Sequence, residues 1–479
     1  VFGLLTTLAQ ATPLDDPHVG DAGFSGPTMG DLTAVYWNPA ALGLLRGPEF
    51  VVSGSLQSTN VSVARSPIDP LTGIGIQTFP KVRGIGKSQP IHWPPGPGGF
   101  LGVGVGLDRR FSIALAYYTP YSSRLTMQSA ADGQDPTRYH LRRVAMDHTA
   151  TTTGLAIHVS DSLHLGVAAG LLFPDISFAF DEDLAMRTQD ADCGGVVCGA
   201  ENPEATARLH LGSRGLQTPS YFISGGILFR RERFSLGISY TSRPLGTNGD
   251  VTVALDYSNV LWPTGMTTLP QPVCPKYGSC YVGQLMYRLP DIANVGVTWK
   301  MNPHWAVTGI IRFIHSNDHQ QIALRIISPS TQTTTQGVLS TVPLFRGFNN
   351  AWDLRARLVY ERSRVRIGGT VRVETSAVPK AQVTAAAVDG MKLESMLATE
   401  VTLWRRLSVT ASYAFMYMLP VETGNSAFHP SSASMCAGAQ GDLDTPACQE
   451  RRQGLARPSA AGRYTMNRHT LTLMTRFGF

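Results

Sequence analysis

Nowhere in the 479 residues does an apolar run approach the length, roughly 18 residues, that a membrane-spanning helix needs. Charge is scarce as well. Asp, Glu, Lys and Arg supply 15% of the chain, where about a quarter is usual in soluble domains. Catalytic signatures are lacking: no Gly-x-Ser-x-Gly elbow occurs, and the twelve His are scattered singly. His315 and His319 stand near a strand end without an evident carboxylate partner in sequence. The glycine-rich run from Pro97 to Gly106 lacks the Lys-Ser/Thr pair and the following helix of a phosphate loop. The chain therefore reads as a non-enzyme with no cofactor. A net charge of +6 comes with no Lys/Arg block and no aromatic RNA-binding motif, which sets nucleic acid aside.

The six cysteines form three close pairs, Cys193/Cys198, Cys274/Cys280 and Cys436/Cys448, none at zinc-ligand spacing. No metal site is expected. Local pairs in loop-like sequence are read as small disulfides, which implies an oxidising compartment; six cysteines allow 15 connectivities, and proximity favours these three. Residues 1–11 form a mostly apolar run closing on Ala9-Gln10-Ala11, the pattern of the end of a secretory signal peptide.

What is abundant is glycine, 48 residues, and alternation. In Leu163–Leu171 the odd positions are apolar and the even ones small or polar, and Phe234–Tyr240, Asn294–Trp299 and Leu407–Phe415 repeat the pattern. A period of two is a strand with two unlike faces, whether the apolar face meets a core or lipid. Connection lengths decide between these. Strands are predicted at 49–65, 99–108, 111–123, 140–159, 162–180, 219–231, 233–245, 281–299, 304–317, 350–361, 364–376, 392–404, 407–420 and 466–479. Tight turns alternate strictly with long links at 66–98, 124–139, 181–218, 246–280, 318–349, 377–391 and 421–465. Short turns on one side and long loops on the other are the pattern of an outer-membrane barrel with periplasmic turns. The cysteine pairs all fall in the long set, and Trp299, Trp305 and Trp404 flank tight turns, where an interfacial aromatic girdle belongs. The expected fold is all-β: a transmembrane antiparallel β-barrel of about 14 strands covering 49–479.

Ahead of it lies Asp31–Leu45, apolar and broken by Asn38-Pro39, which pushes Asn38 out of the helical region. Residues 12–48 are read as a hatch, or plug, inside the lumen; an ordinary N-terminal loop is the competing reading. Asn38, Pro39 and Ala40 form its motif. The chain resembles the FadL/TodX (OMPP1) family of outer-membrane transporters for long-chain fatty acids and other hydrophobic compounds. Asn38-Pro39-Ala40 carries the resemblance, together with Tyr118-Thr-Pro-Tyr121, Ser239–Ser242, Leu289-Pro290-Asp291, Asn302–Trp305, Gly347-Phe348 before Trp352, and Ala377-Val-Pro379. Residues 383–391 depart from it: Ala385-Ala-Ala-Val-Asp389 stands where a Pro-Asp element is expected.

The resemblance implies a monomeric barrel in the bacterial outer membrane, taking up long-chain fatty acids or similar amphipathic compounds passively. Ligand is captured by extracellular loops and released by hatch movement, with lateral exit through a break in the third strand. Its partners are then a hydrophobic small molecule and outer-membrane lipids. The aromatic C-terminal strand ending in Phe479 resembles the signal read by the barrel-assembly machinery. A general diffusion porin and a structural or adhesive barrel are the alternatives.

Two sets of residues are candidates within that scheme. Pro120 cannot donate to a ladder and marks a strand break or a strand end; with Tyr118 and Tyr121 it is the candidate lateral exit, although Tyr117, Tyr118 and Tyr121 also read as girdle residues facing lipid. Alternation turns Arg355, Arg357, Arg366 and Arg372 into the lumen as a basic wall suited to a ligand carboxylate. The inward Glu374, Glu394 and Glu400 make internal pairing the competing reading.

Overall fold

The computed structural model describes residues 19–20, 23–66, 82–87, 99–107, 110–127, 135–183, 206–213, 219–246, 248–256, 273–274, 278–327, 338–404, 406–428 and 457–478. Residues 1–18, the terminal Phe479, Cys193, Cys198, Cys436 and Cys448 lie outside them, and with them the signal-peptide expectation and two of the three disulfide expectations. For Cys274 and Cys280 only backbone is described: Cys274 pairs with Gly278, two residues from Cys280.

Fourteen strands form the wall. They are β1 (Pro48–Arg65), β2 (Phe100–Leu107), β3 (Phe111–Met127), β4 (Arg143–His158), β5 (Leu163–Asp183), β6 (Ser220–Arg231) and β7 (Phe234–Thr241). The second half is β8 (Asp291–Lys300), β9 (Trp305–His315), β10 (Ala351–Arg362), β11 (Val365–Glu374), β12 (Lys392–Trp404), β13 (Leu407–Thr423) and β14 (Gly462–Gly478). Each pairs antiparallel with the next. The ring closes where β14 meets β1, continuously from Glu49↔Gly478 to Arg65↔Gly462. Closure leaves neither terminal strand with a free edge, the condition for backbone to cross hydrocarbon.

The alternation sorts as a barrel in lipid requires. Outward residues are large and apolar, such as Leu397 at 61% exposed and Leu473 at 56%. Inward neighbours such as Gln57, Thr152, Thr470 and Thr472 are polar and buried. Trp299 and Trp404, 62% and 69% exposed, stand beside the short turns with Trp305, forming the expected girdle.

The structure corrects the 281–299 strand and, in part, the long links at 181–218, 246–280 and 318–349, which contain strands of their own. The predicted 281–299 strand is two strands, because Leu289-Pro290 ends Gly278–Met286 before β8 begins, as a missing N–H and a fixed φ dictate. That first piece belongs to an outer layer: segments 206–213, 248–256, 278–286, 321–327 and 338–345 pair in succession and extend the wall beyond β5.

Charge on the lipid face should be costly in proportion to depth. Leu473→Arg is expected to lower unfolding free energy by about 2–4 kcal/mol, measured by urea titration in vesicles. Thr472→Arg, facing the lumen, should cost far less; equal losses would mean the two faces are misassigned.

Candidate functional site

The N-terminal segment lies inside the barrel, and its own sequence explains its shape. The Asp31 carboxylate accepts the Thr33 N–H at 2.8 Å, starting a one-turn helix, Ala34–Trp37. The helix stops at Asn38, which is extended (φ −164°) because Pro39 follows. Asn38 Oδ1 then accepts the Ala40 N–H at 3.1 Å and caps a 3₁₀ turn over Pro39–Leu44. Its Nδ2 donates to the Pro27 carbonyl at 2.8 Å and across to Ile227 of β6 at 3.1 Å. One side chain thus holds the bend and ties it to the wall.

The wall is shaped to receive that bend. A Cβ on Gly226 would overlap Asn38, one on Gly237 the Pro27 carbonyl, and one on Gly166 the Pro39–Ala40 peptide. These three glycines, on β5, β6 and β7, form the seat of the hatch. In sequence Gly166 and Gly237 read only as small residues of alternating strands, and Gly226 does not stand out; spacing within a strand carries no trace of a partner far away in the chain. Polar contacts complete the seat: Ser239 Oγ donates to the Trp37 carbonyl at 2.6 Å, and Thr28 shares a 2.7 Å hydrogen bond with Thr298.

The opposite wall is basic. Arg312 donates to the Tyr36 hydroxyl at 2.6 Å and lies over the Trp37 ring. Arg355 lies over the same indole, with its guanidinium carbon 5.0 Å from the ring centroid, and Arg366 over Phe24 at 4.2 Å. Arg357 donates to the Ser25 carbonyl at 2.8 Å. Desolvated cation–π contacts of this kind are each worth about 2 kcal/mol or more.

All four arginines predicted to face the lumen do so, and three contact carboxylates there. Arg355 pairs with Asp353 at 2.7 Å, Arg366 with Glu400 at 3.5 Å, and Arg372 with Asp353, Glu374 and Glu394. Lys392 joins Glu374 to Asp389.

At the third strand the ladder between β3 and β4 shifts. Tyr118 pairs with Ala150 and Tyr121 with His148, so β3 carries one extra residue around Thr119-Pro120. An inserted residue reverses the facing of everything beyond it. Tyr118 and Tyr121 therefore both point inward and are buried, which corrects the girdle reading; Tyr118 packs edge-on against Tyr36. On the other side β2 begins only at Phe100, opposite Tyr118. Among the described residues, β3 has no ladder partner on that side between Pro120 and Leu125; pairing resumes at Thr126 with segment 82–87. A small cavity, ≈ 20 Å³, lies inside the break between Pro120, Tyr121 and the hatch residues Val35 and Tyr36.

Near the extracellular mouth is a second cavity, ≈ 40 Å³. Met146, Ile176, Phe178, Leu285 and Phe348 give it apolar walls, and Ala386–Asp389 closes one side. The closing segment dips inward because Asp389 accepts the Ala377 N–H at 2.6 Å. It is also the stretch that departs from the family pattern. The lining also carries Tyr287, His319, Arg346 and Asp389. His319 hydrogen-bonds through Nδ1 to the Arg288 carbonyl, so Nδ1 carries the proton and Nε2 is a buried acceptor without a partner among the described residues. Burial, with Arg346 adding, pushes its pKa down to about 3. Arg346 is 8% exposed, lies against Phe178 and also borders an adjoining small cavity with Arg457. No carboxylate of a described residue pairs with it. His315, by contrast, has the partner that sequence did not reveal: its Nδ1 is 3.4 Å from Asp291, in a cluster with Asp318 that Arg243 bridges.

If the glycine seat holds the hatch, Gly226→Val should displace Asn38 and raise single-channel conductance in planar bilayers, as should Asn38→Ala to a smaller degree. Gly369→Val, where a side chain meets open space, should leave conductance at the wild-type level. Unchanged conductance in all three would mean that the seat does not keep the lumen closed.

Comparison with known proteins gives a consistent result. The sequence profile of the outer membrane protein transport protein family (OMPP1/FadL/TodX) matches residues 17–387. No curated protein sequence is significantly similar. Among solved structures, a FadL homologue from Pseudomonas aeruginosa superposes with a TM-score of 0.68 at 14% identity, covering 99% of this chain and 100% of that one. The toluene transporter TodX of Pseudomonas putida gives 0.60 at 11% identity over 98% and 99%. The toluene transporter TbuX of Ralstonia pickettii gives 0.58 at 10% over 96% and 100%. With a closed barrel, an N-terminal segment buried inside it and a profile match over most of its length, the chain belongs to the OMPP1/FadL/TodX family of outer-membrane transporters of hydrophobic compounds.

Proposed function

We propose that this barrel takes up amphipathic carboxylates with a long apolar tail, long-chain fatty acids being the simplest case. The observation that carries the reading is the outer cavity: apolar walls ending at Arg346, a buried guanidinium with no described counter-ion. Burial and the neighbouring Arg457 both lower its pKa, which is to say that its charge is costly where it stands. A carboxylate, bound through two parallel hydrogen bonds, offsets that cost. An uncharged arene such as toluene, the cargo named for TodX and TbuX, would fill the walls and leave the cation unmet. The cavity holds only a few waters as it stands, so an alkyl tail enters as the Ala386–Asp389 side swings outward. Each methylene buried there contributes about 0.8 kcal/mol.

The four lumen arginines are the alternative carboxylate contacts, and one experiment separates them from Arg346. Arg346→Gln should weaken binding of a fatty acid at least tenfold while leaving its methyl ester within about twofold, in line with the roughly 1.5–3 kcal/mol of a charged hydrogen bond. Arg372→Gln, which breaks up a lumen ion-pair cluster, should affect acid and ester alike. If Arg346→Gln has no effect on acid binding and an Arg355, Arg357, Arg366 or Arg372 variant does, the head group sits on the lumen wall instead.

From the cavity, the route out runs past the hatch to the break in β3. In this reading the cargo leaves sideways between Tyr118 and Leu125, and never returns its tail to water. Deleting Thr119 removes the extra residue and aligns β3 with β4. Uptake by this variant should fall while the barrel still assembles, shown by heat-modifiable mobility in gels. Full uptake with a straightened strand would direct the exit elsewhere, into the periplasm.

A further inference from the structure

The short-turn end of the barrel carries a second feature that transport does not use. Along the arc from β6 to β13, every turn presents exposed cations. Arg230, Arg231 and Arg233 occupy the first, and Lys300 opens the next. Arg362 and Arg364 flank the third, and Arg406 lies in the fourth. The exposed acids on this arc are Glu232 and Glu361. None of these cations forms an ion pair with a described residue, in contrast to the arginines of the lumen. A row of like charges left unpaired is self-repelling, so it is stabilised by whatever anion meets it.

Depth identifies the anion. The cations directly adjoin the residues that end the lipid-facing band: Phe229 beside Arg230, Phe234 beside Arg233, Trp299 beside Lys300, Val365 beside Arg364, all exposed. Aromatic residues in that position lie at headgroup level, and the short turns face the periplasm. The cations therefore stand in the plane of the phosphodiesters of the periplasmic leaflet. Arginine matches a phosphate oxygen pair through two parallel hydrogen bonds.

We propose that the Arg230–Arg406 arc is a binding collar for anionic phospholipid headgroups of the inner leaflet, fixing the barrel's depth and its periplasmic rim. The test uses the full chain in neutral detergent. Short-chain phosphatidylglycerol, phosphatidylcholine of the same chain length and inorganic phosphate are titrated separately and followed by native mass spectrometry. Wild type should bind phosphatidylglycerol in preference to phosphatidylcholine, with a preference that shrinks as salt rises. Replacing Arg231, Arg362 and Arg364 by Gln should weaken it by roughly fivefold for each arginine, the contribution of one basic residue near an anionic surface. The corresponding Lys variant should retain most of it. Equal binding of the two lipids by wild type overturns the proposal, as does full phosphatidylglycerol binding by a folded Gln variant. Inorganic phosphate binding as tightly as the lipid would make the collar a general anion site and also overturn it. If the Gln variant fails to assemble, the wild-type lipid preference and its salt dependence still decide.

Discussion

The contact between the Asn38-Pro39 bend and the glycine-bared patch on β5, β6 and β7 is the constraint on which the rest of the structure depends. A fourteen-strand barrel leaves a lumen wider than its own side chains fill. The chain closes it with a segment that has almost no regular structure of its own, one helical turn and one 3₁₀ turn. Such a segment cannot hold its shape alone. It is shaped from outside, by Asn38 reaching Ile227, by Ser239 reaching Trp37, and by a wall stripped of Cβ atoms where its backbone must come close.

The basic wall completes this fit from the other side. Arg312 and Arg355 enclose the Trp37 indole, Arg366 covers Phe24, and Arg357 holds the Ser25 carbonyl. Two of these guanidinium groups are anchored behind, Arg355 by Asp353 and Arg366 by Glu400. The N-terminal segment is thus held by cation–π and hydrogen-bond contacts as well as by apolar burial. Asp389 and Lys392 connect the outer cavity's closing segment to that charge network through Glu374 and Arg372. A physical chain of ion pairs thus runs from the cavity that would receive cargo to the wall that holds the hatch.

Much of the fold was legible in sequence because lipid imposes a rule on every strand. Period-two alternation and the sorting of short from long connections placed all fourteen strands, most within a few residues of where they lie. The rule fails where facing depends on something other than parity. Pro120 marked the irregularity in β3, but the single extra residue beside it is what turns Tyr121 to the lumen, the face that Tyr118 already shares with Ala114 and Ala116. Parity likewise turned Arg355 and Arg357 inward correctly yet said nothing of what they meet, since Trp37 and Ser25 are over three hundred residues away in the chain. Arg346 was passed over altogether: it lies in a loop, where no periodicity applies, and the cavity it borders is assembled from strands and loops across the barrel.

The central claim, that transport requires the hatch to leave its seat, is tested most directly by locking it there. Thr28 and Thr298 share a 2.7 Å hydrogen bond between hatch and β8, a separation suited to a cysteine pair. In a Thr28→Cys/Thr298→Cys variant, uptake of a labelled long-chain fatty acid should stop when the pair is oxidised and return on reduction. Undiminished uptake by the fully cross-linked protein would contradict the account, because cargo would then be passing a hatch that cannot move.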